Sequence, residues 1–146
     1  MEKYYTPAIE EFHVGFECEY AEYLKGLRDL NWDTSTEEDF GEFKQTVYEG
    51  ENILTFGRRG MVRVKYLDTE DIESLGFHYD GAYNWFSSKS LAVIHNAHVI
   101  IKNNYCEKML EVILLYGNSS EEVVFSGIIK NKSELKKLLK QIGYEV

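Results

Sequence analysis

Apolar and polar residues change their period several times along this chain of 146 residues. Thr6-Pro7 predicts a short helical turn, with Thr as N-cap and Pro at the first helical position. Phe12, Val14, Phe16 and Cys18 alternate with His13, Gly15, Glu17 and Glu19, which predicts a strand with one apolar face. Tyr20, Tyr23, Leu24, Leu27 and Leu30 recur at helical spacing and predict a helix over about 20–30, weakened by Gly26. The acidic stretch 31–42 reads as a loop, and Val47 to Phe56 as a further strand. Phe56-Gly57-Arg58-Arg59-Gly60 is a turn. Val62, Val64 and Tyr66 then alternate with Arg63 and Lys65 as a half-buried strand. Thr69 to Leu75 opens with acids that suit a helix N-terminus, and Gly76 follows at the position of a helix stop.

The second half is richer in strands. Tyr83 to Ser87 is a short aromatic strand, and Leu91–Ile94 with His98–Ile101 form hairpin arms around Asn96-Ala97. Met109 to Tyr116 is apolar on both parities apart from Glu111, as a central strand would be. Gly117-Asn118-Ser119-Ser120 is a hairpin loop, and Val123 to Ile129 the return strand. Asn131-Lys132-Ser133-Glu134 has the spacing of a capping box, with Asn in place of Ser or Thr. Leu135, Leu138, Leu139 and Ile142 then form one helical stripe that Gly143 ends. The pattern predicts one α+β domain over 1–146. It is mostly antiparallel β-sheet, with a C-terminal amphipathic helix and one or two short helices packed on one face.

Charge narrows the function classes. Lysine plus arginine number 16 and aspartate plus glutamate 25, a net of −9. That balance opposes generic nucleic-acid binding and adhesion to anionic membranes. It is uneven: residues 1–51 hold 4 basic and 14 acidic groups, whereas residues 130–146 hold 5 and 2. The acidic part predicts either a surface for a basic protein partner or internal compensation by the basic tail helix. No apolar run nears the ~18 residues of a membrane span. The start, MEKYYTPAIEEF, lacks the basic and apolar segments of a signal peptide. Cys18 and Cys106 make neither a disulfide framework nor a four-thiolate zinc site. A cytoplasmic chain with reduced thiols is expected.

Several side-chain groupings suggest chemistry. His95 and His98 are spaced by three, without the intervening glutamate and i, i+4 helix of a zinc protease. His13, Glu17 and Glu19 share a strand face, but four residues of extended chain separate His13 from Glu17 by roughly 13 Å. If this strand neighbours the one at Val62–Tyr66, Glu17 and Glu19 instead pair with Arg63 and Lys65 across the sheet. Ser87, Ser88 and Ser90 match no nucleophile elbow, and nothing local activates Cys106. Neither a catalytic residue, a metal site nor a cofactor is assigned. Arg58, Arg59, Arg63 and Lys65 are the basic cluster before the tail, with Gly57 and Gly60 bracketing the Arg58-Arg59 pair. Guanidinium forks suit phosphates, which makes Arg58, Arg59 and Arg63 the candidate phosphate ligands. An aromatic group follows, Phe77, His78, Tyr79, Tyr83, Trp85 and Phe86, of which Tyr83 and Trp85 are candidate base-stacking residues. The 11 tyrosines and 8 phenylalanines exceed what one core holds, and surface tyrosine is a favoured contact residue.

The opening YYTPAIEEFHVGFECEY, the middle VRVKYLDTEDIESLGF and the close FSGIIKNKSELKKLLKQIG resemble small proteins of gut bacteria and their phages that have no assigned activity. The resemblance implies a phage or mobile-element context, in which small accessory proteins commonly act by binding, against host defences. The leading expectation is a non-enzymatic binding protein that occupies a host protein or sequesters a small phosphorylated ligand such as a nucleotide. The alternatives are a small metal- or acid/base-dependent hydrolase using His13, Glu17 or His78, and a structural subunit that forms a homo-oligomer through sheet edges.

Overall fold

The computed structural model describes residues 3–22, 40–50, 60–92, 96–104 and 109–145. The chain splits into two compact units, Met1–Tyr66 and Leu67–Val146, each with its own antiparallel sheet. The strands dominate, both sheets are antiparallel, and the two α-helices flank the strand run of the second unit instead of alternating with its strands, so the fold is α+β. Among the described residues no helix is long and apolar enough to cross a membrane.

The first unit contains β1 (Tyr4–Tyr5), a 3-10 turn (Ile9–Glu11), β2 (Phe16–Glu22), β3 (Lys44–Tyr48) and β4 (Gly60–Lys65). The sheet order is β1-β4-β2-β3. Alternation places Phe16, Cys18, Val62 and Val64 in a small core, against which Tyr5, Phe12, Tyr20 and Tyr48 pack. Four expectations shift in this unit. The turn predicted at Thr6-Pro7 forms at Ile9–Glu11 with Ala8 as its N-cap, because Glu11 Oε1 accepts the Ala8 N–H at 3.1 Å. The strand predicted from Phe12 starts at Phe16. Gly15 has φ +88, and its N–H donates to the Tyr48 carbonyl at 2.9 Å, so the chain turns sharply there. Val14 is left exposed, while Phe12 still reaches the core by packing on Phe16 with ring centroids 5.0 Å apart.

At its other end β2 continues through Tyr20, Ala21 and Glu22, where a helix was expected. These three lie opposite Val62, Met61 and Gly60, and the ladder overrides the helical spacing. The rest of the expected helix, and most of the acidic loop, lie outside the described residues. β3 ends at Tyr48, whereas the sequence suggested a strand over Val47 to Phe56; positions 51–59 are also outside the described residues.

The second unit contains α1 (Thr69–Ser74), β5 (Phe77–Asp80), β6 (Trp85–Ala92), β7 (Ala97–Asn104), β8 (Met109–Tyr116), β9 (Glu121–Gly127) and α2 (Lys132–Gln141). The five strands form a meander in sequence order. Ile72 and Leu75 around α1, and Leu135 and Leu139 of α2, join Phe77, Phe86, Ile101 and Val112 in one core, so both helices cover the same sheet face. β8 lies between β7 and β9, which is why it is apolar on both parities: Leu110, Val112 and Leu114 enter that core, and Ile113 is buried as well. Both hairpins form, the first with a shift. Ala97, expected in the turn, opens β7 and pairs with Ala92. The strands expected separately at Tyr83–Ser87 and Leu91–Ile94 are joined in β6, whose ladder to β7 runs from Trp85 to Ala92. In the β8–β9 loop Asn118 Oδ1 accepts from the Ser120 N–H at 3.1 Å and hydroxyl at 2.6 Å.

The helix ends follow the sequence closely. Asp68 caps α1 by accepting the Asp71 N–H at 3.0 Å, and Gly76 leaves the helix at φ +93. Asn131 Oδ1 accepts the Glu134 N–H at 2.9 Å, while Glu134 Oε2 takes the Lys130 N–H at 2.7 Å, one residue before the cap. α2 closes as a Schellman motif: the Tyr144 N–H donates to the Leu139 carbonyl and the Gly143 N–H to the Lys140 carbonyl. Tyr144 is then buried against Phe77, with centroids 5.2 Å apart.

Candidate functional site

The cationic candidates separate. Arg58 and Arg59 lie outside the described residues. Arg63 lies on β4 directly opposite Glu19 of β2, and its Nε donates to Glu19 Oε2 at 2.8 Å. Its guanidinium carbon sits 4.1 Å from the Tyr4 ring centroid and 3.7 Å from that of Phe43. Both side chains of the ion pair are 20% exposed. The cross-strand pairing of Glu19 with Arg63 follows from the sequence once β2 and β4 are neighbours. The two flanking rings do not, because Phe43 precedes β3 and Tyr4 belongs to a strand of only two residues.

The aromatic candidates do come together. Tyr83 and Trp85 stack with centroids 4.8 Å apart and an interplanar angle of 21°. Tyr83 projects from the β5–β6 turn, one ring face toward Trp85, and remains 66% exposed. The turn itself is braced. Asp80 Oδ1 accepts the Ala82 N–H at 2.9 Å, and the Tyr79 hydroxyl donates to Asn84 Oδ1 at 2.8 Å; Asn84 has φ +56. Phe77 and Phe86, from the same aromatic group, are core residues instead. β5 was not legible as a strand: it has only four residues and follows directly on the stop of α1.

Strand register surrounds the stack with charge. Asp80 lies opposite Trp85, Trp85 opposite Lys102, and Lys102 opposite Glu111, a row across β5 to β8 on the face away from the helices. Lys102 Nζ lies 5.2 Å from the Trp85 centroid and 3.6 Å from Glu121 Oε2. Among the described residues, Asp80, Glu111 and Glu121 against Lys102 make this neighbourhood net acidic. Sequence spacing concealed it, since the four charges are scattered from 80 to 121 and only sheet register collects them.

The groupings weighed for acid–base or metal chemistry disperse. His13 sits in the turn before β2, with Nδ1 3.0 Å from the Glu11 carbonyl oxygen, while Glu17 and Glu19 are on the strand. His78 is exposed on β5, His98 is exposed on β7, and His95 lies outside the described residues. Among the described residues no three His, Cys, Asp or Glu side chains are grouped to hold a metal ion. Ser88 is buried at a register shift between β6 and β7, where its hydroxyl accepts the Val99 N–H at 2.9 Å. Burial pushes the Cys18 thiol up to about 11, and Cys106 lies outside the described residues. The Tyr116 hydroxyl donates to Glu122 Oε2 at 2.8 Å; that hydrogen bond first, then desolvation and the carboxylate charge, raises the phenol above its ordinary value.

No protein-family model matches the chain, and no curated protein or solved structure matches it.

Proposed function

We propose that this chain is a non-enzymatic binding protein of the cytoplasm, a phage-type accessory factor that occupies a basic host protein. The observation that supports this reading is the braced turn that holds Tyr83, 66% exposed, stacked on Trp85 among more carboxylates than cations. A large aromatic fixed in place before binding loses little entropy on association, and such residues dominate protein interfaces. The net charge of −9 adds long-range attraction for a basic partner, which acts mainly on the association rate.

A second reading, sequestration of a nucleotide, draws on the same stack, since a base can lie on the outer Tyr83 ring. Lys102 is then the nearby cation, and it is paired with Glu121. The acidic row opposes phosphate, so the protein partner is favoured. The test is affinity capture from host lysate with wild type and with a Tyr83→Ala variant, followed by association rates at low and high salt for any protein lost with the variant. A basic protein retained by wild type, lost with the variant and slowed by salt is the expected result. Calorimetric binding of a nucleotide or cyclic oligonucleotide, lost with Tyr83→Ala, would replace this reading by the second.

A further inference from the structure

We infer that the Tyr83–Trp85 turn receives an arginine of the partner, its guanidinium stacked on the open Tyr83 ring and ion-paired with Asp80. This inference rests on the basic-partner reading above. Three observations carry it. The ring is presented rather than packed: one face lies on Trp85, the residue is 66% exposed, and two hydrogen bonds, Ala82 N–H to Asp80 and Tyr79 hydroxyl to Asn84, hold the turn around it. The charge beside it is acidic in excess among the described residues: Lys102, 5.2 Å from the Trp85 ring, is already paired with Glu121, which leaves Asp80 for an incoming cation. Asp80 stands opposite Trp85 in the ladder, spends Oδ1 on the Ala82 N–H, and among the described residues has no partner on Oδ2. The first unit shows the same chemistry completed within the chain, where Arg63 lies against the Tyr4 and Phe43 rings and bonds to Glu19.

Guanidinium suits the turn better than ammonium does. It is planar, weakly hydrated and able to stack and donate sideways at once, so it satisfies ring and carboxylate together. A lysine ammonium meets one or the other as a strongly hydrated point charge. Asp80 and Glu111 oppose phosphate and acidic peptides, and the one cation beside the stack among the described residues, Lys102, is already paired with Glu121. A purely apolar segment leaves the Asp80 carboxylate desolvated and unpaired.

The experiment is calorimetric titration of the full chain with a capped hexa-arginine peptide and a hexalysine peptide of equal charge. Hexa-arginine should bind about fivefold or more tightly than hexalysine. Tyr83→Ala should abolish that preference and Tyr83→Phe should keep it. Asp80→Asn retains the oxygen that caps Ala82 but removes the charge, and should weaken hexa-arginine about tenfold. Equal, salt-sensitive binding of both peptides that ignores Tyr83 and Asp80 overturns the arginine inference and leaves the basic-partner reading standing. Failure of both peptides to bind overturns both.

Discussion

Arg63 and Glu19 are directly opposed across β2 and β4, and their side chains meet at 2.8 Å with the guanidinium lying between Tyr4 and Phe43. An arginine engaged on its edge by a carboxylate and on its faces by rings is a stabilising element of the first unit. Its planar shape matters as much as its charge.

Arg63→Lys should therefore destabilise the protein although charge is conserved, by about 1 kcal/mol, from loss of the ring contacts and the lateral hydrogen bond. Glu19→Gln should cost less, about 0.5 kcal/mol, because the pair is partly solvated. Urea unfolding of both variants and of the double variant checks this. A neutral Arg63→Lys would show that the rings contribute nothing.

Leu135 and Leu139 are wholly buried in the second unit's core. Leu135→Asp should unfold that unit or make it aggregate, since an unpaired buried carboxylate costs several kcal/mol. Lys137→Asp, on the exposed side of the same helix, is the control and should melt near wild type. If Leu135→Asp melts within a few degrees of wild type, α2 is not docked on the sheet.

Ser88 fills a gap in the β6–β7 ladder by accepting the Val99 N–H at 2.9 Å. Ser88→Ala should leave that buried donor without its acceptor, at a cost of about 1–3 kcal/mol. Amide exchange at Val99 should accelerate with it. Unchanged protection of Val99 would mean that another acceptor replaces the hydroxyl.

Cys18, buried between β3 and β4, has its thiol pushed up to about 11 from an ordinary 9.0. In a Cys106→Ser background, alkylation of Cys18 at pH 8 should be roughly a hundredfold slower than in the urea-unfolded chain, from thiolate fraction alone. The folded state favours the protonated thiol. Stability from this group is therefore fully present below pH 9 and is lost as pH rises through 11. Cys18→Ala should flatten the fall in stability between those limits, and an unchanged slope would assign the fall to other groups.

Local pattern carried most of the second unit, β5 and the continuity of β6 excepted. Hairpins, caps, the β8 run and the α2 stripe depend on residues close in sequence, with turn residues at fixed offsets, so each was legible without knowing its neighbours. The first unit was less so. Gly15 breaks an alternation that looks continuous, and Tyr20 to Glu22 join β2 because β4, some forty residues on, supplies their ladder.

The sequence by itself determined the α+β class, the antiparallel hairpins, the acidic balance and the identity of the exposed aromatic candidates. Those are set by composition and by spacings of two to four residues. Only the tertiary structure decided which charges share a face. Register, which brings Glu19 to Arg63 and aligns Asp80, Trp85, Lys102 and Glu111, is fixed by burial of the opposite parity of each strand. It is therefore a property of the whole core, written in no short stretch of chain.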